Sequence, residues 1–178
     1  DTLPAPPRVF VAPGSVWHVL DTGEAPPADW RTATNDTWWS GSAPLGYGGA
    51  ERTTINYENS LDKYPAAYFR KTFSVSSLIT SNLALRICFN DGVAVYLNGT
   101  EILRRNLPAD ATETTRATAF NTDQRRTWIS YPVPPSLVKI GTNVLAVEVH
   151  RADADGAFLN FDLQLVEDVR EIDLSIQA

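Results

Sequence analysis

Val93-Ala-Val-Tyr-Leu-Asn98-Gly99-Thr-Glu-Ile102 is the stretch that decides the fold, because two alternating apolar runs flank an Asn-Gly pair. Asn and Gly tolerate the positive φ angles of a type I′ turn, so this pair closes a tight hairpin at little steric cost. A second β-branched run, Gly141-Thr-Asn-Val-Leu-Ala-Val-Glu-Val-His150, opens on a glycine and ends at a charged loop. Together the two stretches predict an antiparallel sheet.

Alternation of apolar and polar residues extends this prediction along most of the chain. The segments with a strand-like pattern are 9–12, 15–20, 67–75, 83–89, 93–98, 101–104, 127–133, 143–151 and 157–166. In the fourth of these, Leu85 and Ile87 share one face, whereas Arg86 and Cys88 share the other. Such a period gives each strand one buried and one wetter face. The sequence therefore predicts an all-β, antiparallel β-sandwich of roughly eight to ten strands.

Composition narrows the class of protein. A length of 178 residues is typical of one domain with a sizeable core. The net charge of −6 disfavours nucleic acid as a partner, because an acidic surface repels a phosphate backbone. No apolar run approaches the roughly 20 residues of a membrane span, so we expect no membrane insertion. The single cysteine, Cys88, excludes an internal disulfide and indicates a packed thiol.

The ends of the chain differ in composition from its middle. Residues 1–7 contain three prolines and are interpreted as the end of a linker. The β-sandwich domain is assigned to residues 8–166, and residues 167–178 to a final strand or to the start of another linker. Because the sequence contains no Met, we expect a mature or excised piece of a longer protein.

Residues 21–63 are the main irregular region of the sequence. They are rich in Gly, Pro, Asn, Asp and aromatic residues and show no sustained alternation. Long irregular segments inside a compact domain are usually either disordered or functional. The density of Trp and Tyr favours order, so this region is the first place to look for a binding site.

Six motifs spread over nearly the whole chain resemble a known family. They are Trp17-His-Val-Leu-Asp21, Asn35-Asp-Thr-Trp38, Gly41-Ser-Ala-Pro-Leu-Gly-Tyr-Gly48, Tyr68-Phe-Arg-Lys-Thr-Phe73, Asn90-Asp-Gly-Val-Ala-Val-Tyr-Leu-Asn-Gly99 and 141–150. In this order they resemble the galactose-binding-like jelly-roll domains of secreted bacterial multidomain proteins, which often adjoin metallophosphoesterase modules. The chain is more distantly similar to the sugar-binding domain of β-galactosidase-type glycoside hydrolases. The resemblance implies an extracellular or cell-surface location.

The resemblance also implies a structural Ca²⁺, held by an early loop and by a carboxylate near the last strand. Asp21, Asp29 and Glu167 are the matching residues, and carboxylate oxygens are the hard ligands that Ca²⁺ requires. The early loop, residues 22–29, departs from the acidic pattern of the family.

A sugar site needs an aromatic face for the C–H side of a pyranose and polar groups for its hydroxyls. Trp39 is the first candidate, because the family has a small polar or charged residue at this position. The alternative is that Trp39 packs over a neighbouring loop or domain. The complete set of predicted ligand-binding residues is Trp39, Trp30, Tyr47, Arg52, Asn56, Tyr57, Asn90, Asp91, His150 and Arg151.

Motifs for catalysis are missing from the sequence. His18 and His150 belong to no nucleophile, metalloprotease or phosphate-binding signature, so we expect no enzyme activity. The leading hypothesis is a non-catalytic carbohydrate-binding module that tethers a larger extracellular protein to a glycan. The alternative is a structural or protein-interaction module that packs against a neighbouring domain and binds no sugar.

Overall fold

A computed structural model describes residues 6–35, 37–49, 51–59, 61–121 and 127–168. Within these ranges the chain forms twelve strands, one short 3-10 turn (Pro135–Leu137) and no α-helix. The strands are β1 Arg8–Val11, β2 Val16–Leu20, β3 Trp39–Ser42, β4 Leu45–Tyr47, β5 Thr53–Thr54, β6 Ala66–Val75, β7 Asn82–Asn90, β8 Gly92–Leu97, β9 Thr100–Arg105, β10 Ile129–Val133, β11 Gly141–His150 and β12 Leu159–Asp168.

The strands form two six-stranded sheets. Sheet I has the order β10-β7-β12-β4-β5, and β1 pairs with the far part of β12. Sheet II has the order β3-β2-β6-β11-β8-β9. From β6 to β12 the chain alternates between the sheets except at the β8–β9 hairpin, which places consecutive strands on opposite layers. All pairs are antiparallel except β4 with β5, so the predicted all-β sandwich is confirmed, with one parallel pair added.

The inward faces of the sheets form the main core. Leu85, Ile87 and Phe89 from β7 meet Phe69 from β6, and all four are at most 2% exposed. Phe161 of β12 stacks on Phe69 at a centroid distance of 4.5 Å and meets the edge of the Trp17 ring at 5.0 Å. The face of β7 that the sequence predicted to be buried is therefore the inner face.

A second apolar cluster covers the outer face of sheet II. Tyr68 and Tyr96 lie on this face, and Trp30 packs edge-on against both rings at 5.1 and 5.7 Å. Leu107 closes the cluster from another loop. The long irregular region thus contributes to packing, because Trp30 is only 5% exposed.

The Asn98-Gly99 hairpin is confirmed. Leu97 pairs with Thr100, so the loop has two residues, and both take positive φ, 50° for Asn98 and 84° for Gly99. These are the signs that a type I′ turn requires. The Asn98 side chain accepts a hydrogen bond from the Val144 amide at 2.9 Å. The turn residue therefore also links β8 to β11.

All nine predicted strands are present, each shifted by no more than two residues at either end. The prediction missed β3, β4 and β5, which lie within the region described as irregular. At the chain ends, β1 begins at Arg8, and β12 continues through Glu167 to Asp168. The rest of the predicted C-terminal segment, 169–178, and residues 1–5 of the predicted linker lie outside the described residues. No helix in the described ranges has the length and apolar character of a membrane span.

Candidate functional site

One end of the sandwich gathers most of the predicted site residues, and we call it the loop end. The end of β11 lies there beside the starts of β6 and β8, because His150 pairs with both Ala66 and Gly92. The ends of β2 and β7 lie at the same end, since β2 pairs with the start of β6, and β7 ends two residues before Gly92. The start of β12 lies at the same end, since Asn160 pairs with Asn90. The topology therefore brings these segments together at one end.

Trp39 lies at the start of edge strand β3 and is 40% exposed. Its indole Nε1 donates a hydrogen bond to Oδ1 of the buried Asp21 at 2.9 Å. The glycine at position 41 leaves room for the indole, because a Cβ there would lie only 2.9 Å from Cζ3 of Trp39. The ring is thus fixed on one side by the strand and remains open to solvent on the other.

Asp21 organises the polar surroundings of this ring. Its second carboxylate oxygen accepts the backbone N–H of Asn56 at 2.6 Å, and its carbonyl accepts from the Asn56 side chain at 3.2 Å. Arg52 and Asn56 are both exposed. These contacts give Asp21 a positioning role for Trp39 and Asn56.

Tyr47 and Trp30 do not present a ring to solvent, which corrects their predicted role as stacking surfaces. Both are 5% exposed. Tyr47 lies against the half-buried Tyr57 with ring centroids 4.8 Å apart, and the Lys63 ammonium lies 5.5 Å from the Tyr57 ring. Burial raises the pKa of Tyr47 to about 12, although Arg151 opposes this effect. These aromatic residues order the loops instead.

The Asn90–Asp91 turn is buried, with Asn90 3% and Asp91 5% exposed. The two carboxylate oxygens of Asp91 accept backbone N–H groups from Asn121 at 3.0 Å and from Ala152 at 2.9 Å. Asp91 therefore holds two loops onto the end of the sandwich, and its carboxylate is engaged by the protein. This contradicts the prediction that its side chain is free for a ligand.

His150 and Arg151 are also corrections, because both are 0% exposed. Arg151 donates hydrogen bonds to the Tyr47 hydroxyl at 3.0 Å, to the Gly156 carbonyl at 2.8 Å and to the Asp153 carboxylate at 3.2 Å. Its guanidinium is the internal anchor of the 152–158 loop. The charged loop that follows β11 folds back over the strand end and does not extend towards a ligand.

His150 belongs to a buried polar network on the outer face of sheet II. Its Nδ1 lies 2.6 Å from the carbonyl oxygen of Thr115, and its Nε2 lies 3.4 Å from Oε2 of Glu148. The Tyr96 hydroxyl donates to Oε1 of Glu148 at 2.8 Å. Burial alone would raise the pKa of Glu148, but the hydrogen bonds from His150 and Tyr96 outweigh it, so the pKa lies below its ordinary value.

This lowered pKa makes a prediction for Glu148→Gln. A carboxyl whose pKa is lower in the folded state stabilises the fold above its unfolded pKa, and this contribution is lost as the pH falls through the folded pKa. We therefore expect the wild type to exceed Glu148→Gln in unfolding free energy at neutral pH, and the difference to shrink below about pH 4.5. Urea unfolding of both proteins between pH 7 and pH 3 measures this, and a difference that stays constant with pH would contradict it.

A pocket of about 170 Å³ opens beside the Asn90–Asp91 turn. Its remaining lining residues are Phe120, Asp153, Gly156, Ala157 and Phe158. Phe120 is 59% exposed, so its ring forms an accessible wall above the buried polar floor. Sequence reasoning missed Phe120 and Phe158 as site residues. Phe120 lies in no predicted strand or motif, and Phe158 lies at the start of the predicted strand 157–166, where its pattern indicates packing. The one available signal was that both aromatic residues fall in segments with turn-forming neighbours.

The predicted calcium ligands do not come together. Asp21 lies at the loop end, as a chain of contacts shows. Asp21 accepts the amide of Asn56, and the amide of the neighbouring Ile55 donates to the carbonyl of Gly46. Gly46 in turn pairs with Asn160 at the start of β12. Glu167 lies on β12 seven residues after Asn160, which is a distance of about 23 Å along the strand. It accepts hydrogen bonds from the Arg8 guanidinium and from the amides of Thr80 and Ser81.

Asp29, the third predicted calcium ligand, is exposed, and its carbonyl accepts the amides of Thr32 and Ala33. Among the described ranges, no three His, Cys, Asp or Glu side chains are grouped as metal ligands would be. The three carboxylates named from the sequence are therefore not grouped in the described structure, and a bound Ca²⁺ stays a prediction.

Cys88 is buried, as the sequence predicted, and is 3% exposed. Burial raises the pKa of its thiol to about 11, and the nearby Asp162 carboxylate acts in the same direction. The Asn160 side chain donates to its sulfur at 3.2 Å. A thiol in this environment stays protonated at neutral pH and is a poor nucleophile.

The fold defines the chain as an all-β sandwich, and solved structures contain the same arrangement. Bacteroides uniformis β-glucuronidase 2 matches with a TM-score of 0.59 at 16% identity, over 91% of this chain and 18% of that one. An uncultured Clostridium sp. β-glucuronidase matches with a TM-score of 0.57 at 12% identity, over 95% and 31%. Bifidobacterium dentium β-glucuronidase, complexed with coumarin-3-O-glucuronide, matches with a TM-score of 0.53 at 21% identity, over 84% and 21%.

These likenesses establish the fold. The chain spans only about a fifth to a third of the length of the three solved proteins. Neither a family model nor a curated protein sequence matches the chain.

Proposed function

We propose that this chain is a non-catalytic carbohydrate-binding domain of a larger extracellular or cell-surface protein, and that Trp39 is its stacking surface. The observation that carries the proposal is the open indole of Trp39, 40% exposed and fixed by the 2.9 Å hydrogen bond to Asp21. An ordered aromatic ring at the surface offers apolar area without losing side-chain freedom on binding.

Polar groups suited to sugar hydroxyls lie near this ring. Asn56 is exposed and shares the Asp21 carboxylate with Trp39. Arg52 is exposed and precedes strand β5. Elsewhere at the loop end, the Phe120 pocket combines an exposed ring with polar groups on the turn, and it is the second surface in which a sugar ring would find both kinds of contact.

The class of partner is supported by the proteins that share the fold. The matched regions belong to β-glucuronidases, which are larger than this chain, and one of them is complexed with a glucuronide. A β-sandwich that forms part of such a protein can act by holding a catalytic neighbour close to its substrate. A weak binding module raises the effective concentration of its tethered partner without new catalytic groups.

Calorimetric titration of a panel of neutral glycans tests the proposal. We expect Trp39→Ala to weaken the affinity for the bound glycan about tenfold, with Trp39→Phe retaining part of it. Trp128→Ala is the matched control, because Trp128 is also a surface indole, 36% exposed. We expect this variant to bind the glycan with unchanged affinity. Equal affinities of wild type and Trp39→Ala would refute the role of Trp39.

A second function is favoured by a specific observation: the loops bury Trp30 and Tyr47 inside the domain. In this alternative the irregular region has a structural role, and Trp39 packs on a neighbouring domain of the same polypeptide. In that case the wild type binds no glycan of the panel, and oxidation of Trp39 by N-bromosuccinimide is slower in the longer protein than in the isolated domain.

A further inference from the structure

A groove of about 460 Å³ crosses the outer face of sheet I, on a surface outside the loop end. Strands β1, β12, β7 and β10 all contribute to it. Its lining residues are Pro7, Val9, Ala84, Arg86, Ser130, Gln164 and Val166. Neighbouring strands lie about 4.8 Å apart, so four strands give the groove a length of about 14 Å.

Within the described residues, the groove keeps exposed side chains on the outer face of sheet I, whereas loops cover the outer face of sheet II. On sheet II, Trp30 and Leu107 pack over Tyr68 and Tyr96. On sheet I, Val9 at the edge of the groove is 49% exposed. A groove that crosses four strands suits a stretch of an extended chain better than a compact small molecule.

Hydrogen-bond donors dominate the polar lining of the groove. The exposed guanidinium of Arg86 uses one of its five N–H groups on Oε1 of Gln164, at 3.3 Å. The Ser130 hydroxyl lies beside Arg86, since these residues pair across β10 and β7. Among the lining residues that the structure describes, one side chain is cationic and none is a carboxylate.

Two carboxylates of β12, those of Asp162 and Glu167, are engaged elsewhere. Asp162, two residues before Gln164 on the same face of β12, accepts the Gly14 amide at 3.0 Å, and burial raises its pKa. Glu167 accepts hydrogen bonds from Arg8, Thr80 and Ser81. The chain as a whole is acidic, with a net charge of −6. In this groove, however, the Arg86 guanidinium can pair with an anionic group of a ligand.

We propose that this groove is a second binding site, and that it takes a stretch of carboxylate-bearing polysaccharide. A sugar carboxylate would pair with Arg86, and guanidinium–carboxylate pairs are commonly bidentate. Gln164 and Ser130 would hydrogen-bond the sugar hydroxyls, while the exposed Val9 contacts a C–H face. The overall negative charge opposes long-range attraction of the polymer, so recognition depends on these short-range contacts.

The test uses polygalacturonate and its fully methyl-esterified form, which share a backbone and differ in charge. We expect the wild type to bind the carboxylated polymer and Arg86→Gln to weaken this affinity about fivefold. Arg86→Lys keeps the charge without the planar fork and should lose about twofold to threefold. The methyl ester should bind no better to the wild type than to Arg86→Gln.

Arg105→Gln is the matched control, because it removes the same charge from an exposed position on β9 of the other sheet. It should leave the affinity unchanged. An equal loss in Arg105→Gln would show unspecific charge attraction and overturn the proposal, as would an unaltered affinity in Arg86→Gln. Polyglutamate binding as tightly as polygalacturonate would assign the groove to an acidic peptide instead.

The two sites can be separated experimentally. Trp39→Ala should leave binding of polygalacturonate at the groove unchanged, and Arg86→Gln should leave binding of a neutral glycan at Trp39 unchanged. Loss of both affinities in either variant, with an unchanged melting temperature, would mean that the groove is not an independent site.

Discussion

We expect Gly46→Ala to lower the free energy of unfolding by about 3 to 5 kcal/mol, which corresponds to a fall in melting temperature of about 10 °C. Gly46 lies in β4 with φ at +155°. A Cβ at this position would lie 1.9 Å from the carbonyl oxygen of Leu159 and 3.1 Å from Cα of Asn160. Since these are backbone atoms of β12, a side-chain rotation cannot relieve the clash.

The loss would fall on the contact between β4 and β12. Those strands pair only over Leu45, Gly46 and Tyr47, so moving the backbone at the centre of this short pair disrupts all of it. The amide of Ile55 donates to the Gly46 carbonyl, and the loop that carries Asn56 moves with it. We therefore expect the effect to extend from the sheet to the surroundings of Trp39.

Gly49→Ala separates steric overlap from backbone conformation. Gly49 also has a positive φ, +99°, but a Cβ there meets no heavy atom within 4 Å. Replacing Gly49 by alanine should lower the unfolding free energy only by the cost of holding alanine at a positive φ, about 1 to 2 kcal/mol. Chemical denaturation of the three proteins gives both values, and similar losses at the two glycines would show that the contact with Leu159 is not the cause.

The strands that could be predicted from the sequence are those whose pattern is local. β7 and β12 alternate over nine and ten residues, and each alternation contains enough positions to define a buried face. β3, β4 and β5 have four, three and two residues. Such short segments become strands because β2 and β12 are available as partners, and that information is not contained in their own composition.

The candidate site was less predictable, because polarity at a strand end does not determine exposure. Asn90, Asp91, His150 and Arg151 were expected to face a ligand and are buried. Two loops, 106–121 and 152–158, fold over the strand ends and form hydrogen bonds with these groups. Trp39 differs, because its exposure follows from its place on edge strand β3.

The groove illustrates the same limit. Alternation places Arg86 and Gln164 on the outer face of sheet I, opposite the core residues Ile87 and Leu165. It does not say which of the two outer faces is covered by loops. That outcome depends on where Trp30 packs, which is a tertiary contact between distant segments.

Arg151→Met is the second substitution with a large expected effect, a loss of about 3 to 5 kcal/mol in unfolding free energy. Arg151 is fully buried and donates to Tyr47, Asp153 and Gly156. Met fills much of the volume but donates no hydrogen bond. The buried Tyr47 hydroxyl would then lose this donor, as would the half-buried Gly156 carbonyl, and unpaired buried polar groups are costly.

Arg116→Met is the matched control, because Arg116 lies on loop 106–121 and contacts the same 152–158 loop. Arg116 donates to the Asp153 carbonyl at 2.7 Å and forms an ion pair with Asp62 at 3.4 Å, and its side chain is 33% exposed. Solvent replaces the contacts of a partly exposed cation, so its loss should cost at most about 1 kcal/mol. The same replacement at the two arginines therefore compares a buried guanidinium with a surface one.

Hydrogen exchange locates the damage in Arg151→Met. The amide of Ala152 donates to Asp91, and the amide of Arg151 donates to Pro65, so both report on the attachment of the loop. We expect the amides of 151–158 to exchange faster in Arg151→Met while those of β7 change only with global stability. Equal losses of stability in Arg116→Met and Arg151→Met would mean that burial of the Arg151 guanidinium does not hold the loop, and that packing of its aliphatic stem does.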